Sequence, residues 1–290
     1  MTSDSKTPRI NEPGKMGKRF VPYYPQIDGF EIQLLSFESR KTVSEVFSYA
    51  AEVQNRSADR FSYPVLPDTC AAIVFQRSDS QTKGWYCGVS DRLKRIDLES
   101  GNQVLIFRLN PGCALPVEGK EDERQTNGIY ALDGGVAGSS ELLAVLEQSL
   151  PLEETTAKLA SIVKDHRVSR DVDQLIDTSI DLILQTSGNL RISELARKTG
   201  FSERYIGKIF EKFVGLSPKL FAETVRMQRA IRKILDSEKK ESLLEISMDC
   251  GYYDHAHMNR EFNKFLGCSA GMLRRKGFEA IDLGSADSCI

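Results

Sequence analysis

The chain has 290 residues, of which 40% are hydrophobic and 28% charged, with a formal net charge of −2. That length has room for two domains with two cores, and no apolar run approaches the ~18 residues that a membrane span needs. Near-zero net charge argues neither for nor against a nucleic-acid partner, so the distribution along the chain has to be read.

Residues 1–19, MTSDSKTPRINEPGKMGKR, lack the apolar centre of a secretory signal and read as a disordered basic tail, so a cytoplasmic location is expected. Residues 20–135 then carry short β-favouring runs: EIQLLSF (31–37), CAAIVFQ (70–76), GWYCGV (84–89) and QVLIFRL (103–109). Turn-forming residues separate them, as in an all-β barrel or sandwich. Helical patterns take over at Ser139, with ELLAVLEQSL and, after Pro151, LEETTAKLASIVKDH. Their apolar stripes (Leu142, Leu143, Leu146, Leu150; Leu159, Ile162, Val163) suit either a core or a dimer seam, so residues 136–169 read as a helical linker open to homodimerisation.

From residue 170 to 278 the chain repeats itself. ISELARKTGFSERYIGKIFEKFVGLS (192–217) and SLLEISMDCGYYDHAHMNREFNKFLGCS (242–269) each give a short helix, a Gly-bearing turn, a second helix and a terminating Gly. In the first copy Ile192, Leu195 and Ala196 share one helix face. Gly200 stops that helix, because a left-handed residue is cheap only for Gly. Ser202 caps the next one. Its buried stripe is Ile206, Ile209, Phe210 and Phe213. In the second copy Asp254 answers Ser202, Met258 answers Ile206, Arg260 answers Lys208 and Gly267 answers Gly215; the turn is one residue longer. Between the copies, Pro218 to about Ser237 is one amphipathic helix without a breaker. Twenty residues span ~30 Å, close to the ~34 Å between successive major grooves. Residues 188–278 hold 18 Lys and Arg against 11 Asp and Glu, and the remainder 21 against 30. A basic module on an acidic body suits phosphate neutralisation by one end of the molecule. Residues 279–290 read as a tail.

GFSERYIGKIFEKFVGLSP, the MQRAIRKIL segment and CGYYDHAHMNREFNKFLGCS resemble the DNA-binding domain of the AraC/XylS family of bacterial transcription regulators. The departures are Ala270 where that family usually has Pro, Met258 where it has Phe, and Tyr253 where a small polar residue is common. The resemblance implies an α+β chain: a β-rich (cupin-like) regulatory domain, then an all-α domain with two helix-turn-helix units joined by a long helix. It implies double-stranded DNA as partner, with RNA polymerase, a small-molecule effector and a second copy of the chain as further ones. Carried over by position, the DNA-binding set is Ser202, Arg204, Tyr205 and Lys208 in the first unit, and His255, His257, Asn259, Arg260 and Lys264 in the second. A surface salt bridge is the alternative role for Lys208 and Arg260. YPVLPDTCAAIVF (63–75) and FRLNPGCALPVEG (107–119) resemble an N-terminal module of some members, marked by LPD-x-C and F-R-x-x-PG, whose ligand the sequence does not name. Asp68, Cys70, Arg108 and Cys113 lie in these motifs, and structural roles are expected of them.

Enzymatic readings are a cupin-like enzyme and a DNA-repair methyl acceptor fused to a helix-turn-helix domain. The first needs metal-binding histidines, and residues 20–135 contain none. The second needs a thiolate cluster. Cys70, Cys87, Cys113, Cys250, Cys268 and Cys289 include no C-x-x-C pair and read as buried small hydrophobes. Besides His166 the histidines are His255 and His257, two apart and on different helix faces. No catalytic residue, cofactor or metal site is expected. Trp85, Tyr86, Phe75 and Phe107 are candidates to line an apolar pocket in the β half.

Overall fold

Two-sided burial explains why the N-terminal strands read as continuous apolar runs rather than as alternations. The computed structural model describes residues 30–35, 41–56, 61–78, 81–120, 125–148, 150–167, 172–235 and 241–278. The tails expected at 1–19 and 279–290 lie outside the described residues. The chain order is β1 (Phe30–Leu35), α1 (Lys41–Val46), β2 (Phe47–Asn55), β3 (Phe61–Val65), β4 (Ala72–Arg77), β5 (Thr82–Cys87), β6 (Lys94–Leu98), β7 (Gln103–Leu109) and β8 (Ile129–Ala131). Six strands form one sheet in the order β1-β2-β7-β4-β5-β8, and β3 pairs with β6 apart from it; every pairing is antiparallel. Among the described residues the strands thus make two separate sheets, where a closed barrel was one expectation.

Val74 of β4 and Val104 and Ile106 of β7 join Tyr63, Ile96 and Leu98 of the small sheet in one apolar layer. Their neighbours Ile73, Phe75, Leu105 and Phe107 point the other way. That second layer is closed by α2 (Ser139–Glu147) and α3 (Leu152–His166), through Leu142, Leu146, Leu159 and Val163. The stripe that suited a dimer seam therefore packs against the chain's own sheet. Each fully buried side chain of this kind contributes roughly 1.5–3 kcal/mol, which a 15-residue helix such as α3 needs, since isolated helices of that length are marginal.

The helical half runs through α4 (Asp173–Gln185), α5 (Ile192–Thr199), α6 (Glu203–Phe213), α7 (Pro218–Leu235), α8 (Leu243–Asp249), α9 (His255–Leu266) and α10 (Ala270–Lys276). These helices enclose two apolar cores, one for each helix-turn-helix unit. Ile180, Ile183, Leu195, Ile206, Phe210, Phe221 and Val225 form one. Met227, Ile231, Ile246, Met258, Phe262, Phe265 and Leu273 form the other. Helix α7 belongs to both: its first half is buried in the first unit and its second half in the second. Its 18 residues measure about 27 Å. Gly188, with φ +79°, lets α4 turn onto α7; a Cβ there would lie 2.2 Å from the Ala222 carbonyl oxygen.

The β half grips the helical half at its long helix and at the ends of two others. Leu66 and Leu93 are part of the second helical core. Buried Gln228 of α7 donates from Nε2 to the Pro67 carbonyl at 2.7 Å. The Leu93 N–H donates to the Phe265 carbonyl in the last turn of α9 at 2.7 Å. The Thr126 hydroxyl donates to the Gly215 carbonyl just beyond α6.

Candidate nucleic-acid interface

Helix α6 begins where the sequence places its cap. Ser202 Oγ accepts from the Tyr205 N–H at 3.2 Å. Gly200, at φ +78°, ends α5, and Gly215, at φ +84°, follows α6. These fixed ends set which residues face outward. Ile206, Ile209 and Phe210 are buried, whereas Arg204 and Lys208 are exposed four residues apart on one face. Neither makes an ion pair among the described residues. Tyr205 stacks on Phe201, ring centroids 5.3 Å apart.

Helix α9 repeats the plan with one insertion. Asp254 Oδ1 accepts from the His257 N–H at 2.5 Å, and Gly267 ends the helix at φ +72°. Counted from the caps, Arg260 stands where Lys208 stands and Ala256 where Arg204 stands; both are exposed. The residue that lengthens the turn is Tyr252, which turns inward. Its ring meets His257 edge-on at 5.4 Å and lies under the Arg226 guanidinium at 4.8 Å. Arg226 also pairs with Glu261, which occupies the position of Ile209 in the first unit and is buried. The second unit thus carries a buried charged cluster where the first has plain apolar packing. A buried pair costs several kcal/mol in desolvation per ion, so it fixes geometry more than it stabilises.

The nine residues singled out from sequence divide into two groups. Arg204, Lys208, Tyr205 and Arg260 are presented to solvent on α6 and α9. Ser202 is occupied as a cap. His257 is turned inward: its Nδ1 accepts from the Tyr253 N–H at 3.3 Å and its Nε2 lies 3.4 Å from Glu261. Asn259 Oδ1 accepts from the Ala270 N–H at 3.0 Å, tying α9 to α10, and its Nδ2 meets His255 Nε2 at 3.3 Å. Lys264 pairs with Glu223 of α7 at 2.8 Å. Tyr253 and Asn263 are exposed and were not in the set. Tyr253, 87% exposed, precedes the α9 cap as Phe201 precedes that of α6. Asn263 lies on the Ala256–Arg260 face one turn further on. Tyr253 was legible as a departure from the resembling pattern; Asn263 had no signal beyond helical spacing.

The two N-terminal motifs meet inside the protein. Arg108 Nη2 reaches Asp68 Oδ2 at 2.6 Å, its Nε donates to the Tyr49 hydroxyl at 3.0 Å, and Asp68 Oδ1 accepts from the Cys70 N–H at 3.1 Å. Burial pushes the Asp68 carboxyl upward, and the Arg108 guanidinium draws it back. Burial likewise raises the Cys70 thiol far above its usual range, and those of Cys250 and Cys268 to about 11. Such thiols are poor nucleophiles at neutral pH. No cluster of three or more metal-ligating side chains lies among the described residues, and no described helix is long and apolar enough to cross a membrane.

Residues 195–276 match the family model of the helix-turn-helix domain. The Msm operon regulatory protein of Streptococcus mutans is 30% identical over 138 residues, covering 47% of this chain and 45% of that protein. The transcriptional regulator MtrA of Neisseria gonorrhoeae is 23% identical over 160 residues, covering 54% and 50%. The chain thus spans half or less of these relatives' length. Among solved structures, ToxT of Vibrio cholerae overlays on 86% of this chain and 98% of its own, at 8% identity and a TM-score of 0.43. The C-terminal domain of AraT, a response regulator from Geobacillus stearothermophilus, overlays on 40% and 98%, at 19% and 0.34. The sequence match and the capped, duplicated geometry agree: the C-terminal third of this chain is a helix-turn-helix domain with two units on one connecting helix.

Proposed function

We propose that this chain is a sequence-specific DNA-binding transcription regulator of the AraC type, a cytoplasmic and non-enzymatic protein controlled through its N-terminal β half. The observation that carries this reading is the pair of cap-aligned helices α6 and α9, held by one rigid connector and presenting Arg204, Lys208 and Arg260 outward. Two helices on a connector of about 27 Å suit adjacent major grooves of one duplex face. Arg is suited to the two acceptors of a guanine edge. The relatives named as regulators support the same reading, as does the basic balance of residues 188–278. The regulator's remaining partners would be RNA polymerase, a small-molecule effector and a second copy of the chain.

Selection of the full chain against randomised duplex DNA tests this. The expected result is an enriched motif with two halves about one helical turn apart. A pool that stays random through repeated rounds would overturn the reading.

A further inference from the structure

A cavity of about 340 Å³ opens where the β half meets the end of α6. One wall is Tyr86, Val89 and Leu115 from the β half, with Gln125 beside them. The opposite wall is Val214 and Gly215, the turn that terminates α6. Of the four aromatics singled out from sequence, Tyr86 lines this space; Phe75 and Phe107 pack edge-on against each other in the core.

Two buried polar side chains stand in a mostly apolar wall. Gln125 Nε2 donates to the Leu115 carbonyl at 3.2 Å, but its Oε1 is buried without a hydrogen-bond partner among the described residues. The buried Tyr86 hydroxyl accepts from the Leu115 N–H at 3.4 Å and keeps its own proton to give. An orphaned buried acceptor loses its hydration without gaining a partner, a cost that a donor entering the cavity would recover. A hydroxyl group offers both a donor for Gln125 and an acceptor for Tyr86. Among the described residues no carboxylate lines the cavity, and the one cation on its lining, Lys212, is on the exposed side of α6. Volume and lining match small-molecule sites, which are mostly apolar with a few convergent polar groups.

The cavity exists only while the two halves are docked. The Thr126 hydroxyl, next in sequence to Gln125, holds the Gly215 carbonyl. A Cβ on Gly215 would lie 2.8 Å from a Val89 methyl, so the backbone itself forms the contact. A molecule filling this space touches both sides of the seam and interacts differently with docked and undocked states, which is the condition for shifting an equilibrium. We propose that the cavity binds an uncharged, mostly apolar small molecule bearing a hydroxyl group, and that occupancy alters DNA binding by clamping the β half onto the end of α6. The second clause rests on the regulator reading above; the first does not.

The test is calorimetry of the full chain with 1-naphthol, naphthalene and 1-naphthoate. One site is expected, with 1-naphthol about tenfold tighter than naphthalene, the size of one hydrogen bond. The charged naphthoate should be the weakest. Ala114→Phe, which fills the cavity, should abolish binding. Gln125→Leu, which removes the acceptor, keeps the bulk and leaves Tyr86 in place, should narrow the advantage of 1-naphthol over naphthalene. No binding, binding untouched by both variants, or tightest binding of naphthoate would overturn the site. Saturating 1-naphthol should then change affinity for the selected duplex by about fivefold or more; an unchanged affinity would overturn the coupling. A chain that binds no duplex would sink the regulator reading, while calorimetry would still decide the site.

Discussion

At the scale of single residues, Arg204 and Arg260 carry the clearest expectation. Each is exposed on a helix whose fold rests on other positions, Ile206 and Phe210 in α6, Met258 and Phe262 in α9. Replacing either arginine by Ala should cost about 1–3 kcal/mol of discrimination at one base position, with an unchanged melting temperature. Quantitative gel shifts beside a thermal melt check both halves, and wild-type affinity in both variants would remove the groove assignment. Asp68 behaves in the opposite way. Asp68→Asn leaves the buried Arg108 guanidinium uncompensated and should lower stability by about 3–5 kcal/mol, read by urea unfolding. The neighbouring Pro67 carbonyl holds Gln228, so the same variant should also loosen the two halves, seen as faster proteolytic cleavage between them.

At the scale of elements, the connecting helix decides whether two units act as one. Its packing on α4 requires a left-handed residue at 188 with no side chain. Gly188→Ala combines roughly 1–2 kcal/mol of backbone cost with 1–3 kcal/mol of overpacking against α7. Circular dichroism melts should show that loss, whereas Gly101→Ala, in open space at a similar φ, should show the backbone part alone. A weaker device joins α7 to α8. Hydrogen bonding from Lys233 holds the Asp249 carboxyl below its usual value. A depressed folded pKa means that the stabilisation is present above the unfolded value near 3.8 and disappears as pH falls through the folded one. Asp249 is exposed, so the effect is small. The acid limb of the stability curve should flatten slightly in Asp249→Asn, and an identical limb would show that the pair contributes nothing.

At the scale of the whole molecule, the cut between halves lies further along than the β pattern alone suggests. Removing residues 1–135 strips the sheet from Leu142, Leu146, Leu159 and Val163, so that fragment should aggregate. A fragment starting near Val168 keeps both helical cores and should fold and bind DNA, with affinity falling steeply as salt rises. It loses Leu66 and Leu93 from the second core and so should melt below the full chain. An unfolded fragment, or an affinity indifferent to salt, would contradict this. Promoter output from the fragment should no longer follow the conditions that the full chain follows.

The duplicated helical pattern was legible because its signals are local. Caps at Ser202 and Asp254, stops at Gly200, Gly215 and Gly267, and stripes at helical spacing are all set within a few residues of each other. The strands were half legible. β4, β5 and β7 announced themselves as apolar runs, whereas β3 carries Pro64 and β6 reads as KRIDL with only Ile96 and Leu98 buried. Their strand character comes from pairing with each other across thirty residues of chain, which no local window contains. Only the tertiary structure decided which polar residues already had partners within the chain. His257, Asn259 and Lys264 look available along the helix, but Glu261, the α10 backbone and Glu223 claim them. The sequence by itself thus determined a duplicated helical surface with basic residues at matched positions. The fold determined which side chains are left on it, and made a cavity between halves that share no local pattern, because burial and long-range partners are properties of the packed chain.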